Sequence, residues 1–385
     1  MIYTSASTSQ TDAYRAGSEI GEALKHISPE VVLLFTSITF EREYGDFFAG
    51  LYDGLETKNV IVFGGTGDGI YETSLTAHYG VCALGVASGG QTRWSAAVVT
   101  GVGADSSGTA RQCAAAALER IGGTVDWGFV LADGVTADGT GVVSGVQDIL
   151  TVPFIGAMTG DDRKFTRSRI FYNGREIEDG VAILLASGNI PFITHSTSGF
   201  TAIGTTGKVE ASQGKTISRI SSQTPLAFIS EQIGTPFGET DHGILALATS
   251  CDSSEKNFCL RATFRINTLS GAITTFGSIA ERTTVRVSCA NREQLLNAVS
   301  TGIKTLTRSG FTPAAAIIIS CAGRKWQLGN CGEEEVQAIK NAIGSQIPLI
   351  GFPSFGEIGP YLMDDDTYSK SYFHNATCVI CLLGA

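Results

Sequence analysis

Three stretches of this 385-residue chain carry one pattern: Val60-Ile61-Val62-Phe63-Gly64-Gly65-Thr66-Gly67-Asp68, Pro153-Phe154-Ile155-Gly156-Ala157-Met158-Thr159-Gly160-Asp161-Asp162 and Pro348-Leu349-Ile350-Gly351-Phe352-Pro353-Ser354-Phe355-Gly356-Glu357. Each is an apolar run ending in glycine, followed by a hydroxyl residue, another glycine and a carboxylate. A core needs the apolar runs, but it does not need a hydroxyl and a carboxylate at the end of each one. The pattern predicts a duplicated βαβ framework whose strand ends converge on a polar pocket, the usual ligand position of α/β sheets. Strands that end in glycines also leave N–H groups able to form an anion-accepting concavity. Any single copy reads equally well as a turn whose hydroxyl and carboxylate bond local backbone.

The surrounding sequence fits that framework. Asp12 to Ile27 reads as a helix after a polar tail, and Val31 to Phe35 is a continuous apolar run, as in a strand buried on both faces. Tyr44, Phe47, Phe48, Leu51 and Leu55 mark a helix at spacings of three and four, and Val81 to Val86 returns as a strand. A helix from Ser107 to Ile121, the run Gly128 to Leu131, a short helix over Val142 to Leu150 and the strand Val181 to Leu185 build a second unit around the second copy. Asn173-Gly174 is a hairpin signal. Pro191 to Thr224 is rich in Gly, Ser and Thr, lacks periodicity and reads as the inter-domain passage. Short strand candidates follow over 244–248, 260–266, 273–277 and 284–287, then a capped helix from Asn291. The third unit runs from Ala316 to Ser320 through a helix stopped at Gly344 to the third copy, and Cys378 to Leu383 closes the chain as a buried strand. The fold expected is α/β, with mixed sheets flanked by helices: a tail and helix over 1–29, then two domains over 30–200 and 201–385.

Composition narrows the function. A hydrophobic fraction of 43% with only 17% charged residues suits a well-buried globular chain. A net charge of -10 without any Lys/Arg cluster argues against a phosphate-dominated nucleic-acid mode. No apolar run reaches the roughly 18 residues of a membrane span. The N-terminus lacks the basic and apolar regions of a signal peptide, so the nine cysteines read as buried thiols and the cytoplasm as the location.

Several residues carry candidate chemistry. Arg324 ends the third unit's first strand near Gly351 to Glu357, where its planar fork suits a carboxylate ligand; an ion pair with Glu357 that ties two loops together is the alternative. Cys321 would need a base to act as a nucleophile, and no histidine is near it in sequence. Cys378 and Cys381 have a metal-like spacing, but residues three apart in a strand point to opposite faces. The five histidines (26, 78, 195, 242 and 374) show no zinc spacing. Gly64 to Gly69 is neither a Walker A loop nor a dinucleotide fingerprint.

Two stretches together resemble the FIST sensory proteins. Pro153 to Asp162, with Asn173-Gly174 and Asp179 to Ile183, is similar to the close of that family's N-terminal domain. Ser320 to Arg324, Pro348 to Gly351, Phe355 to Pro360 and His374 to Thr377 are similar to its C-terminal domain. The resemblance implies a non-catalytic signal-input module that binds a small ligand, such as an amino acid or other carboxylate. On it the ligand site is expected at Thr159, Gly160, Asp161, Cys321, Arg324, Ser354, Phe355, Gly356, Glu357 and Asn375, with Thr66 and Asp68 as additions. The resemblance also implies a separate signalling partner, since no output segment is visible. The alternative it carries is a haem sensor of nitric oxide, ligated by His195, His242 or His374, that regulates a histidine kinase or a cyclic-di-GMP enzyme. A hydrolase using Cys321 or the carboxylates is the reading from another class.

Overall fold

The computed structural model describes residues 1–385 apart from 189, 239, 240, 242, 252–257, 309, 330 and 331. Three βαβ units share one plan. In the first, Ile2–Thr8 leads through helix Ala13–Leu24 to Val31–Thr36, and helix Tyr44–Leu55 crosses to Ile61–Thr66. The second repeats this with Arg93–Thr100, helix Ser106–Ile121, Trp127–Ala132, helix Gly139–Gln147 and Phe154–Met158. The third has Phe192–Thr197, helix Arg292–Thr307, Ala315–Cys321, helices Ala322–Leu328 and Gly332–Ile343, and Leu349–Ser354. In each unit the last two strands are parallel. A return strand (Val81–Ala87, Gly180–Ser187 or Cys378–Leu383) then inserts antiparallel between the first and middle strands.

The first glycine of every copy of the repeat does the same work. Gly64, Gly156 and Gly351 stand opposite Leu34, Val130 and Ile318 in the parallel pair. A Cβ on each would lie 1.7, 2.4 or 1.9 Å from the carbonyl oxygen of that partner. Only glycine fits such an approach.

Each sheet is completed by a hairpin from another unit, in a closed cycle. Ile170–Tyr172 of unit two joins the first sheet, Gly356–Gly359 of unit three joins the second, and Ile70–Glu72 of unit one joins the third. The register is the same each time: Phe171 faces Gly64, Ile358 faces Gly156 and Tyr71 faces Gly351. Strand exchange therefore crosses the division at residue 200.

The three sheets enclose one central core, with helices outside. Along each central strand, residues alternate between the two layers. Leu33 and Phe35, Phe129 and Leu131, and Ile317 and Ile319 meet in the centre. Val32 and Leu34 face the helices of unit one, Val130 those of unit two and Ile318 those of unit three. Both faces are covered, which is why these strands read as unbroken apolar runs. Cys378 packs in the helix layer and Cys381 in the central core, so they point apart.

Between Phe192–Thr197 and Arg292–Thr307 the third unit carries a closed six-stranded barrel. Val209, Ile217, Leu247, Ile273, Val285 and Val287 fill it, together with Phe228 and Ile229 of helix Pro225–Ile233. That helix has proline in its first turn and Thr224 as its cap.

Three expectations are corrected. Residues 2–8 are not part of a tail: Ile2–Thr8 pairs along Val81–Ala87 and places Tyr3 in the central core. The stretch 191–224 is not without regular structure: it holds Phe192–Thr197 of the third sheet and Thr201–Gln213, the first barrel strand, whose bulges and exposed Gly and Thr hide its period. Not all cysteines are thiols, since Cys251 and Cys259 form a disulfide beside the paired residues Thr249 and Cys259.

Candidate functional site

The three turns converge, and they bond one another. The Thr66 hydroxyl donates to the Gly160 carbonyl at 2.6 Å, and the Gly160 N–H donates back to Thr66 at 2.8 Å. Asp68 N–H donates to the Pro353 carbonyl, and Phe355 N–H to that of Met158. Thr159 donates to Ala132 and Ser168, and Gly160 lies under the Phe355 ring. Thr66, Thr159 and Ser354 are fully buried. The expected polar pocket is thus replaced, at its centre, by contact between units.

The remaining sequence-predicted residues are likewise committed to protein partners. Asp161 accepts the N–H groups of Lys164, Phe165, Thr166 and Arg167 and so fixes the loop that follows it. Asn375 accepts the N–H of Ala262 and donates to the Phe355 carbonyl, clamping the barrel to the third turn. Gly356 pairs with Met158, where a side chain would strike Phe373. Glu357 accepts from Ser354 at 2.7 Å and from both the N–H and the hydroxyl of Thr377; burial pushes its carboxyl up to about 8. Cys321 is buried, and burial raises its thiol.

Arg324 does not pair with Glu357. It is fully buried and paired with Glu335, and it also donates to the carbonyls of Ser198, Leu295 and Ala376. Ser320 holds the other Glu335 oxygen at 2.5 Å. The expected ion pair with Glu357 is therefore corrected to one with Glu335: helix packing brings in Glu335, which nothing in the local motif announces.

His195, half-buried, and His374, buried, are the described candidates for a haem ligand, and both are already bonded within the protein. His374 is buried with Nε2 3.1 Å from the Gly359 carbonyl, and the rings of Tyr361 and Tyr372 pack around it. Nδ1 of His195 accepts the Leu362 N–H. Burial lowers His195 to about 4 and His374 to about 3. The apolar cavity between the sheets measures about 10 Å³, whereas sites for small organic ligands span roughly 300–1,000 Å³. His242 lies outside the described residues.

An open cleft of about 500 Å³ does adjoin the turns. Tyr71 and His78 of unit one, Arg163 of unit two, and Lys325, Gly332 and Glu333 of unit three line it. Behind it Asp68 accepts bonds from Lys325 and the Trp326 indole, with Arg163 Nε 3.6 Å away. The Arg163 guanidinium lies 4.6 Å above the Trp326 ring. Burial and the neighbouring Asp68 raise Asp162 to about 6. Sequence reasoning stopped one residue short twice: Lys325 follows Arg324, and Arg163 follows Asp161-Asp162.

Comparison with known proteins bears on the whole arrangement. A family model described as the FIST N domain matches residues 30–223, and one described as the FIST C domain matches residues 218–360. The chain belongs to the FIST family. FIST domains are sensory, non-catalytic domains that bind small ligands in signal transduction. No curated protein matches this FIST chain. Among solved structures, a match to PurLQS from Thermotoga maritima has 12% identity over 99% of this chain and 72% of that one, with a TM-score of 0.21, and supports no conclusion. No helix among the described residues is long and apolar enough to cross a membrane.

Proposed function

We propose that this FIST protein is a sensor: it binds an amino-acid-like or other carboxylate ligand and passes the signal to a signalling protein such as a histidine kinase. The observation that carries this is the mutual bonding of three strand-end turns, one from each unit, beside an open cleft walled by all three. A ligand there touches every unit at once, so contacts that differ between two arrangements of the units bias which one a partner meets. The buried turn residues, from Thr66 and Thr159 to Glu357 and Asn375, are the framework of that site. The cytoplasm suits the buried free thiols of Cys82, Cys113, Cys321, Cys378 and Cys381. The Cys251–Cys259 disulfide is the feature that would suit an oxidising compartment.

Mass spectrometry of small molecules released on denaturing the natively purified protein tests the reading. A released carboxylate compound that rebinds in calorimetry supports it. A protein that releases none and binds no free amino acid or organic acid overturns it.

A further inference from the structure

One barrel strand, Phe258–Ile266, carries a run of bonds that dock the barrel on the second and third units. The Phe258 carbonyl accepts from the Tyr361 hydroxyl at 3.0 Å, and the Leu260 carbonyl from the Asn375 N–H at 3.1 Å. The Ala262 N–H donates to Asn375 Oδ1 at 3.1 Å. Arg261, buried between them, donates to the Phe373 carbonyl at 2.8 Å and to the Thr140 hydroxyl at 3.2 Å. The remaining residue of this run is Cys259, and it is bridged to Cys251. Cys251 directly follows the paired strand Leu245–Ser250, whose last pair sets Ser250 opposite Phe258. The disulfide therefore clamps the docking strand at the end where its docking contacts begin.

The bridge is also placed for exchange. Cys251 is partly exposed, whereas Cys259 is only 4% exposed. The free thiols of Cys82, Cys113, Cys321, Cys378 and Cys381 are buried, and burial holds each of them above its ordinary pKa. They stay neutral and unreactive. A compartment that keeps free thiols reduced makes a disulfide transient, and an accessible bridge is the kind that exchanges with external thiols.

We propose that Cys251–Cys259 is a reversible thiol–disulfide exchange site, opened by a dithiol reductant, that governs how firmly strand Phe258–Ile266 holds the barrel to Asn375. A thiolate of the reductant attacks Cys251 Sγ, the S–S bond breaks, and Cys259 leaves as a thiolate that takes up a proton. The second thiol of the reductant gives up its proton and displaces Cys251 from the mixed disulfide. The protein is reduced to two thiols and the reductant is oxidised to a disulfide. Opening the bridge leaves the docking strand held at that end by hydrogen bonds alone, which lowers the cost of local opening. Neither the exchange nor its effect on docking rests on the ligand reading above.

The native full chain, incubated with oxidised glutathione or with dithiothreitol, tests this. Samples are acid-quenched and their free thiols are labelled in denaturant for peptide mass spectrometry, with amide hydrogen exchange followed in parallel. Cys251 and Cys259 should be blocked in oxidised glutathione, become labelled after dithiothreitol without denaturant, and be blocked again on return. Exchange over 258–262 should rise about tenfold or more on reduction, well within what loss of a cross-link does, while that over 128–131 stays unchanged. The double variant Cys251→Ser, Cys259→Ser should show the raised exchange in either buffer. A pair that opens only when the chain is denatured is a permanent cross-link and overturns the proposal, as does a pair that stays reduced in oxidised glutathione. A pair that opens while exchange over 258–262 stays unchanged overturns its control of docking.

Discussion

Tyr71 of the first unit lies directly across from Gly351 of the third, in the register that sets Phe171 against Gly64 and Ile358 against Gly156. The strand carrying Tyr71 thus belongs to one unit by sequence and to another by hydrogen bonding. One consequence concerns dissection. Fragments 1–200 and 201–385, expressed apart, each lack a strand pair that completes a sheet, and each exposes unpaired edges. Neither should show the cooperative unfolding or dispersed NMR spectrum of the whole chain, and co-expression should restore both. A fragment 1–200 that unfolds cooperatively alone would contradict this.

The repeat glycines make a sharper prediction. Gly351→Ala sets a methyl 1.9 Å from the Ile318 carbonyl oxygen and can be accommodated only by parting the two strands. A loss of about 3 kcal/mol or more is expected by denaturant titration, the upper range for forcing atoms into a packed interior. Gly45, in helix Tyr44–Leu55 with nothing within 4 Å of its added Cβ, is the contrast. Gly45→Ala should stabilise by about 0.5–1 kcal/mol.

Arg324 and Glu335 make a buried pair whose members depend on each other, with side-chain exposures of 0% and 2%. Glu335→Ala leaves a buried, unpaired guanidinium and should cost about 3–5 kcal/mol. The double variant Arg324→Met, Glu335→Leu should recover much of that loss, because it removes both charges. If the single variant costs less than about 1 kcal/mol in urea titration, the pair is not what holds these helices.

The repeated βαβ plan was legible because strands covered on both faces must be apolar throughout, as 31–35, 128–131 and 316–320 are. Helix starts were legible where local chemistry sets them, as in the capping box of Asn291 and Gln294. Ile2–Thr8 was not, because an edge strand that is mostly half-buried tolerates Ser and Thr. The barrel's first strand was hidden by its glycines and bulges. The partner of Arg324 and the cleft around Arg163 and Lys325 depend on which units meet, and a sequence read one unit at a time does not contain that.

Stability should fall with rising pH because of Glu357. Burial raises its carboxyl from 4.5 to about 8, so the folded chain keeps a proton that the unfolded chain has released. The contribution is full below about 4.5 and is lost as pH rises through 8. Glu357→Gln keeps a neutral group of the same shape beside Ser354 and Thr377. Denaturant titrations should show the variant close to the parent at pH 5 and more stable at pH 9, by on the order of a few kcal/mol. Parallel pH profiles would contradict a neutral Glu357.

Trp326 gives the most direct test of the ligand site, because its indole donates to Asp68 and its ring lies beneath Arg163. The chain has 3 tryptophans, so fluorotryptophan labelling gives three fluorine NMR signals, and Trp326→Phe assigns one of them. Titration with an amino acid that binds in calorimetry should move the Trp326 signal saturably, with the calorimetric affinity. A ligand that saturates the protein and leaves that signal unmoved would contradict binding in the cleft.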